Sequence, residues 1–507
     1  MLAASSSVML NTALAQVIGF FRTAMIASYF GASIEVDSYY ISLVVPTFVA
    51  TAVASWLQVG FVGQYSILRS QSRETDAVDY RTSMILSVAF VSIAVMVVCI
   101  AFPYQVMSAL LPENQSSSVA AQALVLSSLT IAPILLSDFF ALILNCHGGF
   151  FAPSVAPVVN AAVSVFSLWI WPSADLNALL LTLVLGSLGQ FSVVFVALLR
   201  SKIGFRLSFG RGKELAWKSL FVGMPVIPAI LLSNATSATI QLRSAQLGEG
   251  AVSILNYAQR LSGSIGQVLV IGIGTILLPQ MASLMSQENR AAALAVIRKI
   301  SRVAVAISAY FLVGIYLFGF PAVKAILSRG SFSVDIARHV WEVWFILTIS
   351  LLPFSLGTFI AKVAQATQKS VMILISSAIL FGVIWVATLC GVAIESLSLI
   401  AASLALAYSA TAIFWLVWMM RSFDGGVLIQ DLLQSLVFVA PAIAAGTLCD
   451  LAVSTLTGSW LPILEVAVRG AIYTIAFGAA LELLRFRKWL GQTGTVPSTS
   501  DLQASTQ

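Results

Sequence analysis

The stretch 82–103, TSMILSVAFVSIAVMVVCIAFP, decides the fold. It contains no Asp, Glu, Lys or Arg. About 20 apolar residues cross the ~30 Å hydrocarbon core of a bilayer as a helix. The run is too long and too uniformly apolar for the alternating strands of a membrane barrel. Lipid offers no partner to an unpaired backbone group, so the span has to be helical.

Similar stretches fill the rest of the chain. Helices are expected at 8–30, 36–60, 82–103, 119–146, 152–172, 178–200, 217–240 and 251–279, and again at 300–320, 340–366, 370–393, 396–420, 429–454 and 462–484. The fold class is therefore an all-α polytopic membrane protein with about fourteen spans. The 507 residues are 59% hydrophobic and 9% charged, a balance that no ordinary soluble protein carries. The longest polar connections, near 68–80, 201–216, 286–299 and 321–339, are too short to hide a soluble domain. The first span lacks a basic flank and a cleavage site, and reads as retained.

Lys and Arg set the orientation. With a cytoplasmic amino terminus, Arg69, Arg73, Arg81, Arg200, Lys202, Arg206, Arg211, Lys213 and Lys218 fall inside. So do Arg290, Arg298, Lys299, Arg302, Lys362, Lys369, Arg421, Arg485, Arg487 and Lys488. Outside remain Arg243, Lys324, Arg329 and Arg338, so both termini are expected inside. The same bias explains the net charge of +6 without an acidic partner. The polar tail at 489–507 is expected to be disordered.

An internal echo suggests two lobes. GASIEVDSYYISL at 31–43 resembles GEGAVSILNYAQRL at 248–261, and Pro133 and Pro353 repeat at a similar offset. Two six-helix lobes would then form a parallel pseudo-repeat. The expected organisation is an N-lobe at 1–214, a C-lobe at 215–421, two further helices at 422–488 and the tail.

Ionisable groups inside spans usually face a cavity or a partner. Arg22 lies past the middle of the first span, in a wedge with Asn11, Thr12, Gln16, Gly19 and Thr23. A helix seam explains the small residues but has no need of an arginine; a cavity-facing Arg22 is expected. Arg260 shares a stripe with Asn256, Ser264, Gln267 and Gly274; it either lines a cavity, snorkels or meets an acid. Asp37, near the outer start of the second span, either pairs with an arginine or caps that helix. Asp138 is either a coupling-ion site or a structural partner. Asn234, with Ser233, Ser237 and Gln241, either lines the same cavity or bonds a neighbouring helix. Glu465 and Arg469, at i and i+4, are expected to pair. Pro225, Pro228, Pro353 and Pro441 are places where helices can bend.

No Walker loop, HExxH or GxSxG is present, and Cys99, Cys146, Cys390 and Cys449 have neither disulfide nor metal spacing. An enzyme and a metal cofactor are therefore not expected. A net positive cavity suits an anion, and arginine suits phosphate or pyrophosphate.

AQVIGFFR at 15–22, YFG at 29–31 and VDSYY at 36–40 resemble the start of the MurJ/MviN family. NYAQRL at 256–261 and GTILLP at 274–279 resemble that family's eighth helix, and Asn145, Gly149 and Pro153 also fit. The resemblance extends over about residues 5–485 and places the chain in the superfamily of Wzx flippases and MATE exporters. It implies outward flipping of a lipid-linked precursor, Arg22 and Arg260 lining a central cavity, Asp37 matching a family acid, and a lipid-tail groove on the last two helices. The chain departs from the family at Gln16, over 46–56 (PTFVATAVASW) and at Gly263, where family charges are missing.

The expected substrate is a polyprenyl-pyrophosphate-linked saccharide, either an exopolysaccharide repeat unit or lipid II, moved across the bacterial cytoplasmic membrane by alternating access. Substrate binding is assigned to Arg22, Arg260, Asp37, Asn234, Asn256 and Gln16, and a coupling ion (sodium or proton) to Asp138, with the membrane potential as the other drive. A monomer working with polysaccharide or wall-synthesis machinery is expected. Two alternatives remain. One is a MATE-like exporter of organic cations, which would want an acidic cavity. The other is a membrane polymerase or ligase, which would want a large outer loop or a catalytic cluster.

Overall fold

The computed structural model describes residues 2–71, 73–111, 115–171, 175–201, 203, 212–223, 227–286, 290–367, 369–423, 426–454 and 462–483. Among the described residues all regular structure is helical. The first helices are α1 (Leu2–Phe30), α2 (Ile34–Ser42), α3 (Val44–Ser70), α4 (Glu74–Ala101), α5 (Pro103–Leu110) and α6 (Gln115–Ser128). Then come α7 (Ile131–Cys146), α8 (Phe151–Ile170), α9 (Leu176–Arg200), α10 (Gly212–Gly223), α11 (Ile227–Ser244) and α12 (Ala251–Ser286). The remainder are α13 (Arg290–Leu327), α14 (Val334–Ile349), α15 (Leu351–Ala366), α16 (Ser370–Ala393), α17 (Leu397–Phe423), α18 (Gly426–Ser435), α19 (Val439–Ser454) and α20 (Pro462–Leu483).

Eleven helical stretches among the described residues are long and apolar enough to cross a membrane, or twelve if α6 and α7, bent by 42°, make one span. Fourteen were expected. The expected span at 217–240 falls on α10 and α11, separated by positions 224–226, which include Pro225 and lie outside the described residues. The one at 251–279 is the continuous helix α12, whose side chains at 267–280, including Gln267, lie outside them. Lys202, Arg206, Arg211, Arg485, Arg487, Lys488 and the tail at 489–507 also lie outside.

Connections are shorter than the sequence suggests. The expected loop at 286–299 is mostly helix, because α12 runs to Ser286 and α13 starts at Arg290. The start of α13, RAAALAVIRKI, is rich in strong helix formers, so the helix persists beyond the apolar run. Arg298, Lys299 and Arg302 therefore sit on a helix, not in a loop.

Three spans break just before a proline. Pro46, Pro133 and Pro353 each occupy the third position of α3, α7 and α15, after the breaks at 43, 129–130 and 350. Proline has no N–H to donate and its ring clashes with the carbonyl four residues back. For Pro46 that carbonyl belongs to Ser42, and the Ser127 hydroxyl on α6 donates to it at 3.1 Å. The neighbouring helix thus replaces the hydrogen bond that the proline removed.

The chain forms two units. The first comprises Met1–Tyr257, Arg329–Ser333 and Val392–Leu397; the second comprises Ala258–Ser328, Val334–Gly391 and Ser398–Gln507. The core of the first unit is aromatic. Phe61 on α3 stacks on Tyr65 and Tyr80 at centroid distances of 4.9 and 5.4 Å, and meets Phe139 edge-on at 4.8 Å. Such pairs contribute about 0.5–1.5 kcal/mol each beyond the area they bury. In the second unit Phe359, Trp415 and Met419 are buried where α13, α15 and α17 meet. Tyr310 and Tyr473 stack at 4.8 Å between α13 and α20, above Gly314. Glu465 and Arg469 pair at 2.8 Å as expected, and Arg469 also reaches Asp450 at 3.3 Å.

An ion cluster absent from the sequence reading joins α18 to α13. Asp431 binds Arg298 through one carboxylate oxygen and Arg302, at 2.9 Å, through the other. Asp431 and Arg302 are both buried.

Candidate functional site

Arg22 lies on α1, and its Nη2 donates to the Tyr39 hydroxyl on α2 at 2.6 Å. The guanidinium carbon stands 5.8 Å from the Tyr39 ring centroid. Its Nε is buried and unbonded, and no carboxylate among the described residues pairs with it. A guanidinium held by a neutral phenol keeps its charge available for an anion. Tyr39 is buried and meets Tyr40 edge-on at 5.0 Å.

Tyr40 forms part of the wall of a cavity of about 270 Å³ in the first unit. Thr47, Phe48 and Thr51 of α3 face Asn234, Ser237 and Gln241 of α11 across it, and Asn256 of α12 completes the polar lining. Among the described residues no charged side chain lines it. The Thr51 hydroxyl donates to Thr47 O at 2.7 Å, and Asn256 Nδ2 to Val252 O at 2.9 Å. The Thr51 hydroxyl proton is used within its own helix, so Thr51 offers the cavity its oxygen lone pairs, while Asn256 offers its carbonyl oxygen and its second N–H. Asn234 Nδ2 is buried without a partner. The cavity therefore presents neutral hydrogen-bonding groups of both kinds, which is what sugar hydroxyls need.

The expected residues are only partly brought together. Asn234 and Asn256 share the cavity wall, and Arg22 approaches it through Tyr39 and Tyr40. Gln16 stays on α1 and Asp138 on α7, neither in the cavity wall. Arg260 belongs to the second unit; its spacing of four puts it on the face of α12 that carries Asn256.

Asp37 is engaged elsewhere. It is 3% exposed, and it accepts from Gly250 N at 2.6 Å, Ser253 N at 2.7 Å and the Ser253 hydroxyl at 2.5 Å. Gly250 and Ser253 flank the start of α12, so Asp37 caps a helix distant in sequence and meets its positive dipole end. Both alternatives left open for it, an arginine partner and its own helix, give way to this third arrangement. The same region seals the carboxy-terminal end of α1. Tyr257 OH donates to Gly31 O at 2.7 Å, and Ser331 N to Ser28 O at 2.8 Å. Gly31 and Gly330 have φ of +65° and +60°, and a Cβ on Gly31 would lie 2.6 Å from Ser331 O. The two segments of the internal echo thus lie against each other. Asp37→Ala orphans two buried N–H groups, an expected loss of about 1–3 kcal/mol. Thermal unfolding in detergent would read it, and Asp37→Asn, which keeps an acceptor oxygen, should lose less.

His147 follows α7, beyond the span, with Nε2 3.0 Å from the Tyr65 hydroxyl. Burial first, then the charges of Arg69 and Arg81, push its pKa from 6.5 down to about 4. His147 is thus neutral at physiological pH. As pH falls from 6.5, the unfolded chain takes the proton before the folded one does, so stability falls until the folded state also protonates near 4. His147→Gln should remove that part of the stability loss between pH 6.5 and 4 and leave stability at pH 7–8 nearly unchanged. A pH series of melting curves would show this.

Sequence reading missed Tyr39, although it stood within VDSYY, because phenols are common in membrane helices. It also missed Asn160 and Gln190, the polar neighbours of Asp138, and Asp431.

Apolar helices of membrane-spanning length with a polar cavity in the first unit define a polytopic membrane protein. The chain belongs to the MurJ family: the sequence profile described as "Lipid II flippase MurJ" matches residues 26–468. With eleven or twelve helices among the described residues long and apolar enough to cross a membrane, it is a protein of the bacterial inner membrane. The chain is 24% identical over 346 residues to the lipid II flippase MurJ of Burkholderia cenocepacia, covering 65% of this chain and 66% of that protein. It is 25% identical over 246 residues to the probable lipid II flippase MurJ of Thermotoga maritima, covering 46% and 51%. The chain thus spans only half to two thirds of these relatives' lengths. Its fold matches the structure of a lipid II flippase MurJ in an inward closed conformation, with TM-score 0.76 and 16% identity over 94% of this chain and 99% of that one. It also matches an inward-facing multidrug resistance MATE transporter of the MOP superfamily, with TM-score 0.70 and 12% identity over 83% and 99%.

Proposed function

We propose that the chain flips a polyprenyl-pyrophosphate-linked saccharide from the inner to the outer leaflet of the cytoplasmic membrane by alternating access. The observation that carries this is the neutral, polar cavity beside an arginine that has no acid partner among the described residues. Arg22 holds pyrophosphate oxygens. The amide and hydroxyl groups on α3, α11 and α12 solvate the sugar. A separate groove of about 390 Å³ in the second unit suits the polyprenyl chain, being lined by apolar residues such as Leu312, Leu352, Leu416 and Val439. Moving one charge across 100 mV is worth about 2.3 kcal/mol, so an outward-moving dianion gains roughly 4–5 kcal/mol from a negative interior.

The chemistry of the wall favours uncharged sugars, such as those of an exported polysaccharide, over a charged headgroup. The uncharged segment 46–56, which supplies Thr47, Phe48 and Thr51 to that wall, points the same way. The test uses proteoliposomes holding the full chain and either a fluorescent polyprenyl-pyrophosphate disaccharide of neutral sugars or fluorescent lipid II. Faster flipping of the neutral headgroup is expected. Faster flipping of lipid II would overturn the preference, and no flipping of either would overturn the function.

A further inference from the structure

Asp138 lies inside an apolar span on α7, between the buried residues Ser137 and Phe139. It accepts one hydrogen bond, from Gln190 Nε2 on α9, at 3.4 Å. Gln190 Oε1 accepts in turn from Asn160 Nδ2 on α8 at 2.8 Å. The chain Asp138–Gln190–Asn160 therefore ties three helices together. α8 and α9 approach closely at this level because Gly186 has no side chain; a Cβ there would lie 2.8 Å from Asn160 Oδ1.

Among the described residues no charged group contacts Asp138. On α3, Tyr65 and Arg69 engage His147 and Cys146 O. On α4, Asp76 pairs with Arg73, Arg81 bonds Tyr65, and Asp79 and Tyr80 hold other partners. Glu74 and Cys99 stand near the two ends of α4, and α9 carries only Arg200, at its last position. α8 has no titratable side chain.

A carboxylate in an apolar span with one long, neutral hydrogen bond is poorly supported as an anion. A metal cation fares no better, since hard cations need several oxygen ligands. Here the neighbouring amide turns its N–H toward Asp138 and its oxygen toward Asn160. No cluster of three His, Cys, Asp or Glu that could hold a metal occurs among the described residues.

We propose that Asp138 is a proton-binding site, and that the Gln190 and Asn160 amides pass its protonation state to α8 and α1. Ionised Asp138 only accepts. Protonated Asp138 gains an O–H while keeping one acceptor oxygen; in the proposed relay that O–H goes to Gln190 Oε1, and the amide then turns over. Gln190 Nε2 then faces Asn160, whose Oδ1 has to accept, so the second amide turns over too. α8 packs along α1, with Asn11 Nδ2 donating to Ser154 Oγ at 2.9 Å. α1 carries Arg22, so proton uptake is linked to the headgroup site. The proton enters from water and leaves to water; no bond other than O–H forms or breaks.

The test is infrared difference spectroscopy of the full chain in lipid nanodiscs, titrated from pH 5 to 9 with choline or sodium as the cation. A protonated-carboxyl band that titrates in the wild type and vanishes in Asp138→Asn is expected. Gln190→Leu keeps the acid but removes its donor, so its midpoint should move upward. The midpoint should be the same in choline and sodium. A band retained in Asp138→Asn, an unmoved midpoint in Gln190→Leu, or a sodium-dependent midpoint would each overturn the proposal. These readouts do not depend on the flippase reading. A functional arm does: flipping by Asp138→Asn should lose the pH dependence seen in the wild type. Flipping that keeps its pH dependence in this variant would sever the link to transport while leaving the flippase reading intact.

Discussion

Asp431→Ala is expected to destabilise the protein more than any other single change considered. It leaves Arg298 and Arg302 facing each other without their shared counter-ion. Breaking a buried pair by removing one partner costs about 3–5 kcal/mol, because the remaining charge stays desolvated. Here one acid neutralises two bases. The effect should be graded by burial: the Arg302 side chain is 5% exposed and Arg298 24%. Arg302→Ala should therefore lower the melting temperature more than Arg298→Ala. Replacing all three with apolar residues of similar size should recover much of the loss. Melting curves in detergent check the series; an Asp431→Ala protein as stable as wild type would show that water reaches the cluster.

Arg22→Ala is expected to slow headgroup flipping about ten- to hundredfold, the equivalent of roughly 1.5–3 kcal/mol for hydrogen bonds to a charged group. Arg22→Lys keeps the charge but loses the planar fork that matches phosphate, so it should fall between. Tyr39→Phe removes the acceptor that fixes the guanidinium and should cost less than losing the arginine. Flipping of the fluorescent neutral-sugar substrate, with insertion verified by protease protection, measures all three. Equal rates in Arg22→Ala and wild type would remove the proposed grip.

Much of the fold could be read from hydropathy, because in lipid an apolar run long enough to span has only one way to satisfy its backbone. The break at 350 was foreshadowed by Pro353, whereas Pro133, which accompanies the break at 129–130, was read only as part of the echo. Helix ends were read less well. Hydropathy marks where lipid stops, not where hydrogen bonding stops, so α13 starts ten residues before its expected span. At the site, Arg22, Asn234 and Asn256 were legible because polar groups inside spans stand out. Tyr39, Gln190 and Asn160 were not, since their importance lies in which helix faces them. Asp37 shows the limit most clearly. Its partners Gly250 and Ser253 lie more than two hundred residues away, and two of its three contacts are to backbone N–H groups that any residue except proline would supply.

That last property has an evolutionary consequence. At the joint where α1, α2 and α12 meet, Ser28, Tyr29 and Gly31 contribute carbonyls and Gly250 and Ser253 contribute amides. Main-chain atoms do not mutate. Only a carboxylate, a few hydroxyls and the glycines with left-handed backbone need to persist there, so descendants of one ancestor can diverge almost everywhere else and still close this end of the molecule in the same way.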